Sequence, residues 1–160
     1  MSASVSVHPT APTTSRRRND APIIVAVDGS ASGAAAVRTA IPIAERLDAP
    51  IVFVYVRGGP WSALGEPYYQ RRLDAETLSA KRALGNALAT AERAGVTASG
   101  EVLDGPPARR VIEFANLRGA RLVVLGPRRR RWLRRSVSRR VKRDADRPVL
   151  VADTLATATA

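Results

Sequence analysis

Few side chains in this sequence are suited to covalent or acid–base chemistry. There is no cysteine and a single histidine, His8. That composition removes disulfides, thiolate nucleophiles, iron–sulfur clusters, thiolate zinc sites, a folded Ser-His-Asp triad and any His-rich metal site. The phosphate-cradling motifs fail in turn. No G-x-G-x-x-G follows the first apolar run, where Gly29 and Gly33 stand four apart, and no G-x-x-x-x-G-K-[ST] occurs. A G-x-S-x-G nucleophile elbow would need serine where Ala31 stands. The acids are scattered along helical patterns rather than paired, with one exception. Asp28 ends an unbroken apolar run, where an ionised side chain is costly unless it is partnered. Two roles are open to it, a cap for the following helix or a contact to a ligand.

The second concentration of chemistry is charge. The chain carries a formal net charge of +12. Residues 128–147 hold ten arginines and Lys142 against Asp144 and Asp146, which accounts for +9 of that total. Arg16, Arg17 and Arg18 against Asp20 add +2, so the remainder is nearly neutral. A basic segment of this density suits nucleic acid, an anionic membrane surface or phosphorylated metabolites. The alternative is a solvated arginine face. Trp132, among the arginines, suits base stacking in the first case and packing under the loop with Leu133 in the second.

The elements that must position these residues alternate strand and helix. At 160 residues, with 45% hydrophobic and 25% charged side chains, the composition is that of one soluble globular domain. Residues 1–21 are read as a disordered basic tail, 22–153 as the folded domain and 154–160 as a flexible tail. No signal-peptide pattern and no apolar run of ~20 residues is present, and the expected location is the cytoplasm, without a membrane span. Ile23 to Val27 reads as a strand buried on both faces. A helix follows, with Ala34, Val37, Ile41 and Ala44 as its apolar stripe, Pro42 as a kink, and Ser30 or Ser32 as its cap. Ile51 to Val56 is a second buried strand. After a Gly/Pro-rich loop from Arg57 to Tyr69, a long helix shows the stripe Leu73, Thr77, Ala80, Leu84, Ala87 and Ala91 and closes at Gly95. Val96 to Leu103 alternates, with Val96, Ala98, Gly100 and Val102 on its inner face, and reads as a half-exposed edge strand. Pro107 opens a third helix through Val111, Ile112 and Ala115, closed by Gly119. Leu122 to Gly126 is a fourth strand, Ser136 to Ala145 a fourth helix and Pro148 to Ala152 a fifth strand. Such alternation implies an α/β domain with an open five-stranded parallel sheet and helices on both faces.

Four segments carry a family resemblance: PIIVAVDGSASGAAAVRTA, IVFVYV, GPPARRVIEFANLRGARLVVLG and SVSRRVKRDADRPVLVAD. In this order and with these gaps they resemble a universal stress protein of the UspA type. The resemblance implies an adenine nucleotide alpha hydrolase-like fold with strand order 3-2-1-4-5, a homodimer and a non-catalytic stress-response role; the apolar run Val149 to Val151 at the sheet edge puts the dimer contact on strand 5 (Pro148 to Asp153). The switch point of that order lies between strands 1 and 4, where open α/β sheets bind ligands. Members that bind ATP share G-x2-G-x9-G-[ST] after the fourth strand. Carried over, Asp28 faces the ribose, Val56 contacts the adenine and Gly126 starts the phosphate loop. Arg128 and Arg129 lie along that loop, and Ser136, Val137 and Ser138 open the helix that receives the phosphates.

This sequence departs from that motif in length and composition. Arg129 takes the place of the second glycine, Arg135 precedes Ser136, and ten steps rather than fourteen separate Gly126 from Ser136. Arginine supplies charge-assisted forks to phosphate but resists the close backbone approach of a glycine cradle. The expectation is weak ATP binding without adenine selectivity. The alternative is a polyanion partner, nucleic acid or an acidic protein, held by segment 128–143. A nucleotide hydrolase is disfavoured, because neither a general base nor a metal cluster is visible.

Overall fold

The computed structural model describes residues 20–58, 65, 67–127, 141 and 143–152. The chain runs β1 (Ile23–Ala26), α1 (Ala31–Leu47), β2 (Ile51–Arg57), α2 (Tyr68–Arg93), β3 (Ala98–Asp104), α3 (Pro107–Leu117), β4 (Leu122–Leu125) and β5 (Val149–Val151). The strands form one sheet of order β3-β2-β1-β4-β5, with every pairing parallel. The expected fold class and strand order are therefore the observed ones. β1 is central: Ile23 is in register with Ile51 on one side and Leu122 on the other.

The unbroken apolar strands follow from burial on both faces. Ile23, Val25, Ile51, Phe53 and Tyr55 pack beneath α1 and α2. Ile24, Val52, Val54, Val56, Val123 and Leu125 pack beneath α3 and Val141. Phe53, Ile23, Ile24 and Ile51 are wholly buried, each contributing roughly 1.5–3 kcal/mol of transfer free energy. Helices lie on both faces, as a parallel sheet requires.

Several local expectations shift. In α1 the buried stripe is Ala36, Val37, Ala40, Ile41 and Ala44, and Ala34 is exposed. Small residues on most of its faces blur the period that a sequence reading relies on. α1 runs on through Pro42, which lies on its exposed side. The loop after β2 is shorter at both ends than expected, because Arg57 completes β2 and Tyr68 begins α2. On the edge strand β3, Ala98 packs against the α1–α2 core while Val102 is 41% exposed. Leu103 packs into the opposite layer instead. The helix expected from Ser136 is represented here only by Val141, Arg143 and Asp144, all helical, with Ala145 N donating to Val141 O at 2.9 Å. Its first turn lies outside the described residues, as do residues 1–19 and all of 154–160.

Candidate functional site

The chain reverses direction immediately after β1, and three residues build the turn. Gly29 has φ +77, a left-handed conformation that a side chain resists. Asp28 Oδ1 accepts from Ser30 N at 3.0 Å and from Ser30 Oγ at 2.5 Å. Ser30 Oγ in turn accepts from Gly33 N at 3.3 Å and caps α1. Asp28 thus holds the cap residue rather than serving as the cap. One carboxylate oxygen is committed to the turn, and the side chain is exposed. A β-carbon on Gly33 would come within 2.8 Å of Asp28 Oδ1 and 3.0 Å of Asp28 N, so glycine there is what lets Asp28 lie against the helix start.

Strand β4 ends beside the same turn. Gly126 presses against Ser32, and any β-carbon there would overlap the Ser32 carbonyl oxygen and hydroxyl. Its φ is not positive, so glycine is needed here for close approach and not for a left-handed backbone. The Ser32 hydroxyl donates to Pro127 O at 2.5 Å and ties β4 to the first turn of α1.

Between these strand ends lies a cleft. Asp28, Ser32 and Gly33 form one wall, Val54, Val56, Pro107 and Val111 another, and Leu125, Gly126 and Val141 close it. It occupies the switch point between β1 and β4, the place where an open parallel sheet leaves a crevice. Asp28, Val56 and Gly126, far apart in sequence, line this one cleft. Arg128, Arg129, Ser136, Val137 and Ser138 lie outside the described residues. Ser32, Pro107 and Val111 were not foreseen as site residues. For Ser32 the signal was partial: two serines competed for the cap, and Ser30, by taking it, leaves Ser32 to face β4.

The other face of the same strand end carries a polar clamp. Tyr55 OH donates to Glu76 Oε2 at 3.0 Å in the interior, beneath α2. Burial, then the hydrogen bond to Glu76, pushes the Tyr55 phenol up to about 12. Arg57 grips Asp104 with two nitrogens, at 2.6 and 2.8 Å, and donates a third bond to Thr77 Oγ1 at 3.1 Å. The hydrogen bond to Asp104 pushes the Arg57 guanidinium up further still. Tyr55 and Arg57 face α2 and β3, which leaves Val56 between them to face the cleft.

The chemistry on offer is recognition. Apolar side chains face the flat part of the cleft, and hydrogen-bond acceptors cluster at the end of β1. Among the described residues, no three of His, Cys, Asp and Glu gather as a metal site would need. No helix among them is long and apolar enough to cross a membrane.

Residues 21–153 match the Universal stress protein family. The chain belongs to that family. Among curated relatives, Universal stress protein MJ0531 of Methanocaldococcus jannaschii is 32% identical, the match covering 81% of this chain and 79% of the relative. A universal stress protein structure from Burkholderia pseudomallei is 30% identical, covers 82% of this chain and 94% of its own, and superposes with a TM-score of 0.67. The universal stress protein from Archaeoglobus fulgidus, solved in complex with dAMP, is 25% identical with a TM-score of 0.65, covering 83% of this chain and 98% of its own. Family membership and fold thus agree.

Proposed function

We propose that this universal stress protein is a non-catalytic, dimeric stress-response module that receives an adenine nucleotide in the β1–β4 cleft and holds it loosely. The observation that carries this reading is the convergence of Asp28, Val56 and Gly126 on one apolar-walled crevice. The residues fit a nucleoside. Val56, Pro107 and Val111 offer a base an apolar surface. Asp28 keeps one oxygen outside its own turn to accept a ribose hydroxyl. The Archaeoglobus relative holds dAMP, which supports a nucleoside monophosphate or its polyphosphates as the ligand class.

Loose binding follows from the segment after Gly126, which has Arg129 where a glycine belongs and is four residues short. Among the described cleft residues, Val56, Pro107 and Val111 offer a base apolar contact only, so adenine and guanine nucleotides should bind alike. Charge attracts the phosphates, and salt weakens that attraction. Calorimetric titration of ATP, GTP, AMP and tripolyphosphate at two salt concentrations tests the reading. ATP and GTP should bind similarly, more tightly than tripolyphosphate, with dissociation constants that rise with salt. No heat from any nucleotide at low salt overturns it.

The charge of +9 within residues 128–147 favours a second reading, a polyanionic partner for that segment. About six phosphate contacts would give log K a slope near −5 against log salt. Failure to retain DNA or RNA at ~50 mM salt removes that reading.

A further inference from the structure

α1 and α2 lie side by side over one face of the sheet, and a groove of about 290 Å³ opens between them, roughly the size at which small-molecule pockets begin. Small residues leave it open. A β-carbon on Gly29 would stand 3.7 Å from Ala83 Cβ, so the β1–α1 turn rests against α2 at that end. Beyond that contact Gly33 and Ala34 of α1 face Ala87 of α2, over a buried floor of Val27 and Val37. The far end is polar, with Arg38, Asn86 and Thr90. The Thr90 hydroxyl donates to Asn86 O at 2.8 Å and accepts from Arg93 at 3.3 Å, which brings a second guanidinium to the same end. Among the described residues no acidic side chain lines the groove, and Arg38 has no carboxylate partner. The β1–α1 turn separates this groove from the β1–β4 cleft, with Val27 and Gly33 lining both.

We propose that the groove is a second small-molecule site, and that it takes a monocarboxylate with a linear apolar body. The chain lies along Val27, Val37 and Ala87, and the carboxylate meets Arg38. A guanidinium offers a carboxylate two parallel donors, and no acid in the groove competes for them. Covering the valine floor removes apolar surface from water. Seven helical steps separate Ala31 from Arg38, about 10 Å of groove, a length that a medium-chain alkyl group fills. A polyanion gains nothing from the apolar floor, and a neutral hydrocarbon leaves Arg38 unanswered. One cation at one end of an apolar trough fits one anion at one end of a chain. This site does not rest on the nucleotide reading.

The test titrates octanoate, octan-1-ol and acetate by NMR. The amides of Asn86, Ala87 and Thr90 are read, because these residues line the groove and not the cleft. Octanoate should give saturable shifts there, octan-1-ol should bind about tenfold more weakly for want of the charged hydrogen bonds, and acetate should give none. Arg38 and Ala34 are both exposed, so variants at either position fold. Arg38→Gln should weaken octanoate about tenfold and leave octan-1-ol unchanged. Ala34→Leu places a larger side chain in the groove and should abolish the shifts from both, with the unfolding midpoint unchanged. Octanoate shifts that do not saturate, or that persist in Ala34→Leu, overturn the proposal. Equal binding of octanoate and octan-1-ol, or an Arg38→Gln variant that binds octanoate like wild type, overturns it as well.

Discussion

Gly126 is seated on Ser32 with no room for a β-carbon between them. Gly126 directly follows β4 and Ser32 lies in the first turn of α1, so their contact sits at the end of the seam where β4 meets β1. The obstacle is backbone, the Ser32 carbonyl, and not the end of a flexible side chain. Gly126→Ala must therefore shift β4 or the first turn of α1, at a cost of about 1–3 kcal/mol for an overpacked interior. Denaturant unfolding reads this as a lower midpoint with unchanged slope. A midpoint equal to wild type would show that the seam yields freely.

The Tyr55–Glu76 pair makes stability depend on alkaline pH. The folded phenol keeps its proton up to about 12, against an ordinary value of 10.0. Between those values the folded state binds more protons than the unfolded state, so stability falls as pH rises. It is fully present below pH 10, and about 2–3 kcal/mol is lost by pH 12. Tyr55→Phe should abolish this slope. It should also cost about 1–3 kcal/mol at neutral pH, because Glu76 loses its buried donor. Unfolding measured across the alkaline range, alongside the near-ultraviolet phenolate signal of wild type minus variant, checks both expectations.

Asp28→Ala should separate nucleoside recognition from phosphate attraction. One carboxylate oxygen holds Ser30, and the other takes no part in the turn; the proposed function gives it a sugar hydroxyl. Removing a charged acceptor of this kind weakens a ligand about tenfold. ATP and AMP should lose that factor while tripolyphosphate binding stays the same. Parallel losses for all three would mean that the carboxylate acts only through the turn.

Among the described residues, no strand pairs with the outer edge of β5. Pro148 O accepts from Val123 N and Ala152 N donates to Leu125 O, so the backbone of Val149 and Val151, alternating with these, points away from β4. Leu150 is 37% exposed beside it. Val151→Pro removes an outward donor without touching the β4 ladder. It should shift a dimer toward monomer in light scattering while leaving the unfolding midpoint of the monomer nearly unchanged. A wild-type protein that is monomeric at micromolar concentration removes the dimer from the proposed function.

The sheet was legible in the sequence because buried parallel strands leave an unmistakable signature, as in Ile23–Ala26 and Ile51–Val56. The helix boundary at Gly95 was equally plain, since its φ of +70 is a conformation that glycine supplies without strain. The α1 stripe was misplaced at Ala34 because alanine and glycine fill that helix and give periodicity little contrast. Val102 was misplaced because an edge strand is covered only as far as its neighbouring helix reaches. Among the cleft residues, Asp28 stood out as the charge ending a buried strand, whereas Val56 came from the family resemblance alone. Ser32 could not be found, because its role depends on a carbonyl 95 residues away, and no local pattern encodes such a partner. Glu76 was hidden for a similar reason, being a charged residue in a helical stripe whose partner lies on β2.

The seam between β1 and β4 also orders the assembly of the molecule. β1, β2 and β3 pair in sequence with α1 and α2 crossing between them, so this half is complete once Asp104 has been made. The cleft does not yet exist at that stage, because its far wall is Leu125 and Gly126. Pairing of β4 with β1 closes a loop of about a hundred residues, a separation that slows folding. The nascent N-terminal half thus gathers its apolar strands before it possesses anything with which to hold a ligand. A ligand held in this cleft would bind only a chain in which β4 has paired with β1, and would add its free energy to that step.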